Sequence, residues 1–284
     1  MSAPGAEPRV VRPWHAALGL VAAAVLGHGG GVVAGFGAVA VTLVLAAAPL
    51  AGLTPEALLT FPVIAASAIT TETMLVVVAV AVPLLARAPV GDALGLRRAP
   101  VLCFVLAVVG VLALGPTSDA IVMFAREHFP RVTFGTLEGL DRVLRDAPVW
   151  AAWPVIAIAP GLGEELVFRG MFQRAIPTPA LAIVLSAVLF SAFHIDPQQA
   201  LGTLPTGFYL AWLAWRTRST FVPILGHVAN NTAALAVAKN DALRVEVLPW
   251  WVVVVGLGVA ILALVALEAV RPRAPRAAPP VASA

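Results

Sequence analysis

The sequence has little charge and almost no sulfur chemistry. Charged residues make up 12% of its 284 residues, whereas 60% are hydrophobic. An ordinary soluble domain contains roughly 25% charged residues. The single cysteine, Cys103, lies inside an apolar run, which excludes an intramolecular disulfide and argues against a cysteine-ligated metal site. Composition therefore predicts an integral membrane protein. The apolar runs do not alternate with polar residues, so they predict helices.

Two motifs of familiar hydrolases are also missing. The sequence has no Gly-x-Ser-x-Gly elbow of a serine esterase and no His-Glu-x-x-His pair of a zinc protease. The segment from His28 to Gly31 contains three consecutive glycines. We interpret this segment as a flexible break or kink in the first apolar run rather than as an oxyanion loop.

The apolar runs predict an all-α, polytopic membrane protein with about eight transmembrane helices. The predicted spans are 14–50, 65–85, 101–114, 149–174, 180–194, 200–216, 221–237 and 249–270. No internal repeat or separate soluble domain is visible in the sequence. We therefore expect one membrane domain over 14–270, with a cytoplasmic lead at 1–13 and a disordered tail at 271–284.

Charges of alternating sign are concentrated in the stretch 116–147. Within it, four apolar residues recur at helical spacing: Leu137, Leu140, Val143 and Leu144. This spacing predicts an amphipathic helix that lies at the membrane interface.

The basic residues lie in short clusters between the apolar runs. Eight spans with both termini in the cytoplasm place twelve arginines on the cytoplasmic side and the other six basic residues on the opposite side, as the positive-inside rule requires. The six are Arg126, Arg131, Arg142, Arg145, Lys239 and Arg244. Clusters of this kind indicate membrane orientation, so we expect no nucleic-acid partner.

Polar side chains within three of the predicted spans form the candidate site. They are Glu164, Glu165, Arg169, His194, His227, Asn230 and Asn231. Charged groups inside a bilayer cost several kcal/mol, so they usually face the bundle interior and serve a function. Glu165 and Arg169 are spaced i and i+4 and can pair on one helix face, which leaves Glu164 free.

These groups could carry out hydrolysis in two ways. In the first, a buried glutamate acts as a general base on water, the imidazoles orient the water, and an asparagine amide donates to the developing oxyanion. In the second, Glu164, His194 and His227 hold one divalent metal ion such as zinc. The sequence provides no serine, cysteine or threonine at a usable spacing from the histidines, so water is the expected nucleophile.

Three ordered motifs resemble those of the CAAX-processing and bacteriocin-processing (CPBP, or Abi-type) intramembrane proteases. They are Glu164-Glu165-x-x-x-Arg169, Phe190-x-x-x-His194 and His227-x-x-x-Asn231. The resemblance implies an eight-helix peptidase fold with a core at about 147–240, in which Glu164 and His194 activate water. It implies that His227 and Asn231 stabilise the oxyanion and that Glu165 and Arg169 shape the site. Some members are called metalloproteases and others glutamate-dependent, so the resemblance leaves one metal or none.

The resemblance implies a membrane-embedded or lipidated protein or peptide as the substrate. Two other functions remain open from the residues: a proton- or ion-coupled transporter, and a non-enzymatic immunity or scaffold protein. A composition rich in alanine, arginine and proline, with a single lysine, is typical of a high-GC bacterium. We therefore expect the bacterial cytoplasmic membrane. The predicted spans place Glu164 towards the cytoplasmic helix end and His194 nearer the opposite face, which separates two residues of one site.

Overall fold

A computed structural model describes residues 10–45, 59–245 and 247–270, and these residues form helices and no strands. The helices are α1 Pro13–Leu45, α2 Phe61–Leu85, α3 Val90–Ala93, α4 Val101–His128, α5 Thr136–Asp146, α6 Val149–Ala175, α7 Pro179–Phe193, α8 Pro197–Thr217, α9 Phe221–Lys239 and α10 Trp250–Val270. A short 3₁₀ turn, Asp241–Leu243, follows α9. The predicted tail at 271–284 and most of the predicted lead lie outside the described residues.

Six helices of the described chain are long and apolar enough to cross a membrane: α1, α2, α4, α6, α9 and α10. The predicted all-α membrane fold is therefore confirmed. The other two predicted spans correspond to α7, which has only 15 residues, and to α8, which begins with polar glutamines. A full bilayer crossing needs about 20 apolar residues, so the count of eight stays a prediction.

The predicted break at the glycines of the first span is wrong, because α1 runs through them without interruption. The glycines of α1 instead form part of its contact surface with α2. A Cβ atom at Gly31 would lie 2.3 Å from Thr71 Oγ1, and the Thr71 hydroxyl donates a hydrogen bond of 3.1 Å to the Gly27 carbonyl. Small residues at this face allow the two backbones to approach closely.

The predicted end of the third span, near residue 114, is also wrong. Helix α4 continues through Pro116 and Asp119 and ends only at His128. Polar residues alone do not stop a helix, and here the chain turns just before Pro130. The predicted amphipathic helix exists as α5, and its Leu144 is buried against a cluster that includes Leu235 of α9. Its position at a membrane interface stays a prediction.

Helix α6 is the most enclosed element of the bundle. Every residue from Gly163 to Gln173 is buried, including its two glutamates and Arg169. Phe168 and Met171 pack in one core cluster with Leu75 of α2 and Phe190 of α7. The charged motif therefore lies in the centre of the fold.

The loops of the bundle gather at two ends. At one end, which we call the arginine end, the loops 86–100, 176–178 and 218–220 come together, and Thr220 N–H donates 3.0 Å to the Gly95 carbonyl. Glu268 near the end of α10 pairs with Arg216 at this same end. The opposite end holds the loops 129–135 and 194–196 and the residues 240–245, where Arg244 pairs with Asp141 at 2.7 Å.

Asp196 accepts the hydrogen bonds that hold the opposite end together. It is fully buried, caps α8 through the Gln198 N–H at 2.9 Å, and accepts from the Thr133 and Thr136 hydroxyls at 3.0 and 2.8 Å. Burial alone would raise the pKa of this carboxyl, but the hydrogen bonds from Thr136, Phe134 and the others outweigh burial and lower its pKa to about 2. The turn after His194 is thereby tied to the segment that leads into α5.

We expect Asp196→Asn to lower the free energy of unfolding by about 2 kcal/mol, since hydrogen bonds to a charged acceptor are lost. A lowered folded-state pKa gives stability that is complete above the ordinary value of 3.8 and is lost as the pH falls towards 2. Thermal melts of the wild type should show this loss, and melts of the variant should not. The exposed Asp92→Asn is the control; equal pH profiles for Asp196→Asn and the wild type would contradict the prediction.

Candidate active site

Helix α6 changes its winding at the motif. Two π-helical stretches, Pro154–Ile158 and Leu166–Phe172, flank the α-helical segment Ala159–Glu165, so both glutamates stand where a π stretch begins. Such widened turns occur frequently at functional sites. Glu164 lies 11 residues before the end of α6, about 16 Å from the arginine end at 1.5 Å per residue. The predicted span, 149–174, differs from α6 by one residue, so Glu164 lies in the carboxyl-terminal half of the helix in both.

The predicted pair of Glu165 and Arg169 is present and fully buried. Arg169 Nη1 donates to Glu165 Oε1 at 2.9 Å, and Arg169 Nη2 donates to the Gly207 carbonyl of α8 at 3.0 Å. The guanidinium group also lies 4.1 Å from the centre of the Phe190 ring. These contacts fix α6 against α7 and α8 and give the buried cation three kinds of partner.

His227 of α9 joins both glutamates. Its Nδ1 lies 3.0 Å from Glu165 Oε1, and its Nε2 lies 4.0 Å from Glu164 Oε2. If the proton of the neutral ring is assigned to Nδ1, His227 donates to Glu165 and presents an acceptor towards Glu164. A separation of 4.0 Å is too long for a direct hydrogen bond, and it suits two groups that share one water.

Glu164 Oε2 and Glu165 Oε2 are buried and have no hydrogen-bond partner. Glu164 lies in the protein core, with its side chain only 9% exposed. A buried carboxylate oxygen without a partner is costly unless water or a ligand meets it. Of these two oxygens, Glu164 Oε2 is the one that lies 4.0 Å from His227 Nε2.

His194 follows the last residue of α7, and its Nδ1 lies 3.1 Å from the Phe190 carbonyl. The centre of the Phe190 ring lies 5.2 Å from that of the His194 ring and 5.6 Å from that of the His227 ring. His194 is thus near the glutamates without directly pairing with them. Helix α7 spans about 22 Å from the arginine end, which brings its last residues close to the level of Glu164.

Asn231 of α9 joins this helix to α6. Its amide nitrogen donates 3.1 Å to the Ile156 carbonyl in the first π stretch of α6, and its oxygen accepts from Asn230 at 3.2 Å. An amide nitrogen carries two N–H donors. One therefore anchors α9 to α6, and the second remains for a substrate.

Two residues that sequence reasoning missed belong to this site. Glu72 of α2 is buried, its Oε2 has no partner, and it interacts electrostatically with Glu164. It packs directly on α6, since a Cβ atom at Gly163 would lie 2.4 Å from Glu72 Oε2. A signal was available, because Glu72 is an ionisable residue in the middle of an apolar run.

His28 is the second missed residue. Its ring lies 4.2 Å from the Phe193 ring, and it lies within electrostatic range of both Glu164 and His194. Its Nε2 is buried without a partner. The adjacent glycines had suggested a flexible segment, but they bring α1 close to α2 and so carry His28 into the core.

The predicted metal site does not fit this arrangement. Among the described residues, no group of three or more His, Cys, Asp or Glu side chains is arranged to hold a metal ion. The Phe190 ring contacts both histidine rings, and His227 Nδ1 is engaged by Glu165, which leaves only His227 Nε2 towards Glu164. No step below passes through a metal.

Comparison with known proteins gives one match. Residues 146–233 match the family model described as type II CAAX prenyl endopeptidase Rce1-like. The matched segment contains all three motifs, from Glu164 to Asn231. No curated protein and no solved structure matches the chain.

Proposed function

This chain is a member of the CAAX-processing (CPBP) intramembrane protease family through its domain at 146–233, and on that premise we propose that it hydrolyses a peptide bond with Glu164 as the general base on water. At the level of the family it is an intramembrane endopeptidase. The observation that carries the finer proposal is Glu164 Oε2, buried, unpartnered and 4.0 Å from His227 Nε2. One water can donate a hydrogen bond to each of these atoms.

The proposed reaction moves one proton through Glu164. Glu164 takes a proton from the water, and the water oxygen forms a bond with the peptide carbonyl carbon. The C–N bond then breaks, and Glu164 returns the proton to the leaving amine, which gives a carboxylic acid and a free amine. The acid then loses its remaining proton to the amine or to bulk water, so that Glu164 ends as the carboxylate that it was at the start. Water is activated and no acyl-enzyme forms.

The neighbours of Glu164 hold the reacting groups in place. Glu165, fixed by Arg169, orients His227 through the 3.0 Å contact, as the acid of a catalytic triad orients its histidine. The second N–H of Asn231 is the proposed donor to the oxyanion. The geometry favours His227 over His194 as the partner that shares the water with Glu164, which differs from the role implied by the resemblance. His194 lies next to Phe190 and His28 and is the remaining polar residue of the site.

Glu72 is proposed as a positioning residue for Glu164. Glu72 packs on Gly163, the residue before Glu164, so the shape of its side chain helps to fix the backbone that carries Glu164.

We expect Glu72→Gln to keep activity within about threefold, because the amide has the same shape as the carboxyl group that it replaces. We expect Glu72→Ala to lower kcat about 10- to 100-fold with little change in KM, since Glu164 loses its packing partner and a small misplacement is costly. Steady-state kinetics and a thermal melt of both variants test this. Equal losses in the two variants would show that Glu72 acts through its charge.

The proposed substrate is a membrane-associated or lipidated protein or peptide, in the bacterial cytoplasmic membrane, with both termini of the protease in the cytoplasm. The matched family is described as prenyl endopeptidases, so a farnesylated CAAX peptide and its unfarnesylated form are suitable probes. Purified protein in liposomes should release a C-terminal fragment from one of them, detected by mass spectrometry. Proton uptake driven by a pH gradient, without cleavage of either peptide, would support a transporter instead.

A further inference from the structure

A polar cavity of about 320 Å³ opens at the arginine end of the bundle. Four of its lining residues are arginines: Arg97, Arg169, Arg174 and Arg218. Arg169 is already paired with Glu165, so the other three are the cations that an added anion could join. The rest of the wall includes Trp215 and the prolines Pro177 and Pro179.

Hydrogen bonds between two loops build this cavity. The Ser219 hydroxyl donates to the Arg97 carbonyl at 2.5 Å, and the Thr220 hydroxyl donates to the Leu94 carbonyl at 2.5 Å. The loop before α4 is therefore joined to the turn that carries Arg218. The third arginine, Arg174, enters from the end of α6 and lies against Gly95.

Gly95 shows how closely the loop fits the arginine. Its φ is +65°, and a Cβ atom there would lie 2.0 Å from Arg174 Cζ. Any other residue at 95 would displace the guanidinium group. The backbone thus holds the plane of Arg174 in one position beside the cavity.

Arg174 has no acidic partner among the described residues of the cavity. Arg174 interacts electrostatically with both Arg97 and Arg218, and its Nε and Nη2 atoms are buried without a hydrogen-bond partner. No aspartate or glutamate is among the described residues that line this cavity. Arg97 does pair with Asp92 at 2.8 Å, but that pair is largely exposed. Three like charges that are partly withdrawn from water repel each other unless an anion joins them.

We propose that this cavity binds a phosphate group. Guanidinium groups bind phosphate oxygens in pairs of parallel hydrogen bonds, and Arg174 has two such donors free. Basic pockets between transmembrane helices bind the head groups of anionic lipids. The apolar wall of Trp215, Pro177 and Pro179 fits the glycerol and first methylenes of such a lipid. The cavity shares Arg169 with the candidate active site, but phosphate binding at Arg174 does not depend on the proposed reaction.

The test compares lipid binding by matched variants in detergent. Purified wild type, Arg174→Gln, Arg218→Gln and Arg98→Gln are each mixed with equal amounts of phosphatidylglycerol and phosphatidylcholine, and bound lipid is counted by native mass spectrometry. Arg98 is the control, since it is exposed on the same loop and does not line the cavity. We expect the wild type and Arg98→Gln to prefer phosphatidylglycerol, and each of the other two variants to lose at least fivefold of that preference.

Thermal melts of the same proteins serve two purposes. They show whether each variant is folded, and they show whether the bound phosphate group belongs to a lipid. Without added anion, Arg174→Gln should melt no lower than the wild type, because the variant relieves repulsion. Addition of inorganic phosphate and addition of phosphatidylglycerol form two arms. Stabilisation of the wild type by both indicates a general phosphate site, and stabilisation by the lipid alone indicates a lipid site. The proposal is overturned if neither stabilises the wild type, or if Arg98→Gln loses as much preference as Arg174→Gln.

Discussion

Replacing Glu164 with glutamine is expected to lower the rate of peptide hydrolysis by about 10³-fold and to leave the fold intact. A general base contributes about 10²- to 10⁴-fold, and glutamine keeps the shape of the side chain without a proton acceptor of comparable strength. The fold should be unaffected, because Oε2 makes no hydrogen bond that the change would break. Initial rates on the peptide probe, measured beside a thermal melt, give both values.

The control for this prediction is Glu127→Gln, which alters an exposed glutamate outside the site. It should retain full activity. If Glu164→Gln keeps more than a tenth of the wild-type rate at equal stability, another residue is the general base. Glu72 is then the first candidate to examine.

Replacing Arg169 with methionine is expected to lower the free energy of unfolding by about 3–5 kcal/mol. This is the usual cost of breaking a buried ion pair, because the remaining charge has no compensation. Here Glu165 would keep only His227, and the Gly207 carbonyl would lose its donor. Denaturation monitored by helix content should show the difference.

A double variant separates the ion pair from the packing of Arg169. Glu165→Gln combined with Arg169→Met removes both charges, so it should recover a large part of the lost stability while remaining inactive. The exposed Arg98→Met should change stability by less than about 0.5 kcal/mol. If Arg169→Met alone is as stable as the wild type, the buried pair does not hold the bundle together.

The parts of the site that sequence could predict depend on local spacing. Glu165 and Arg169 are one helical turn apart, so their pairing follows from helix geometry alone. The membrane character and the helical class follow from the apolar runs. These features need no knowledge of how the helices are arranged in three dimensions.

The parts that could not be predicted depend on which helices meet. Glu72 and His28 reach Glu164 only because α1 and α2 pack closely and α2 lies on Gly163 of α6. No spacing along the chain encodes these contacts. The end of α4 was predicted too early for a related reason, since charge was treated as a helix boundary although Asp119 is carried inside the helix.

The central claim is that Glu164 makes this chain a protease, and a comparison of protein termini in membranes tests it most directly. Membranes that contain equal amounts of the wild type or Glu164→Gln are analysed for new amino and carboxyl termini, each with and without a divalent-metal chelator. We expect a set of termini that is present with the wild type, absent with Glu164→Gln and unchanged by the chelator. The same termini in both membranes would contradict the claim, and loss of the termini on chelation would contradict the metal-free mechanism.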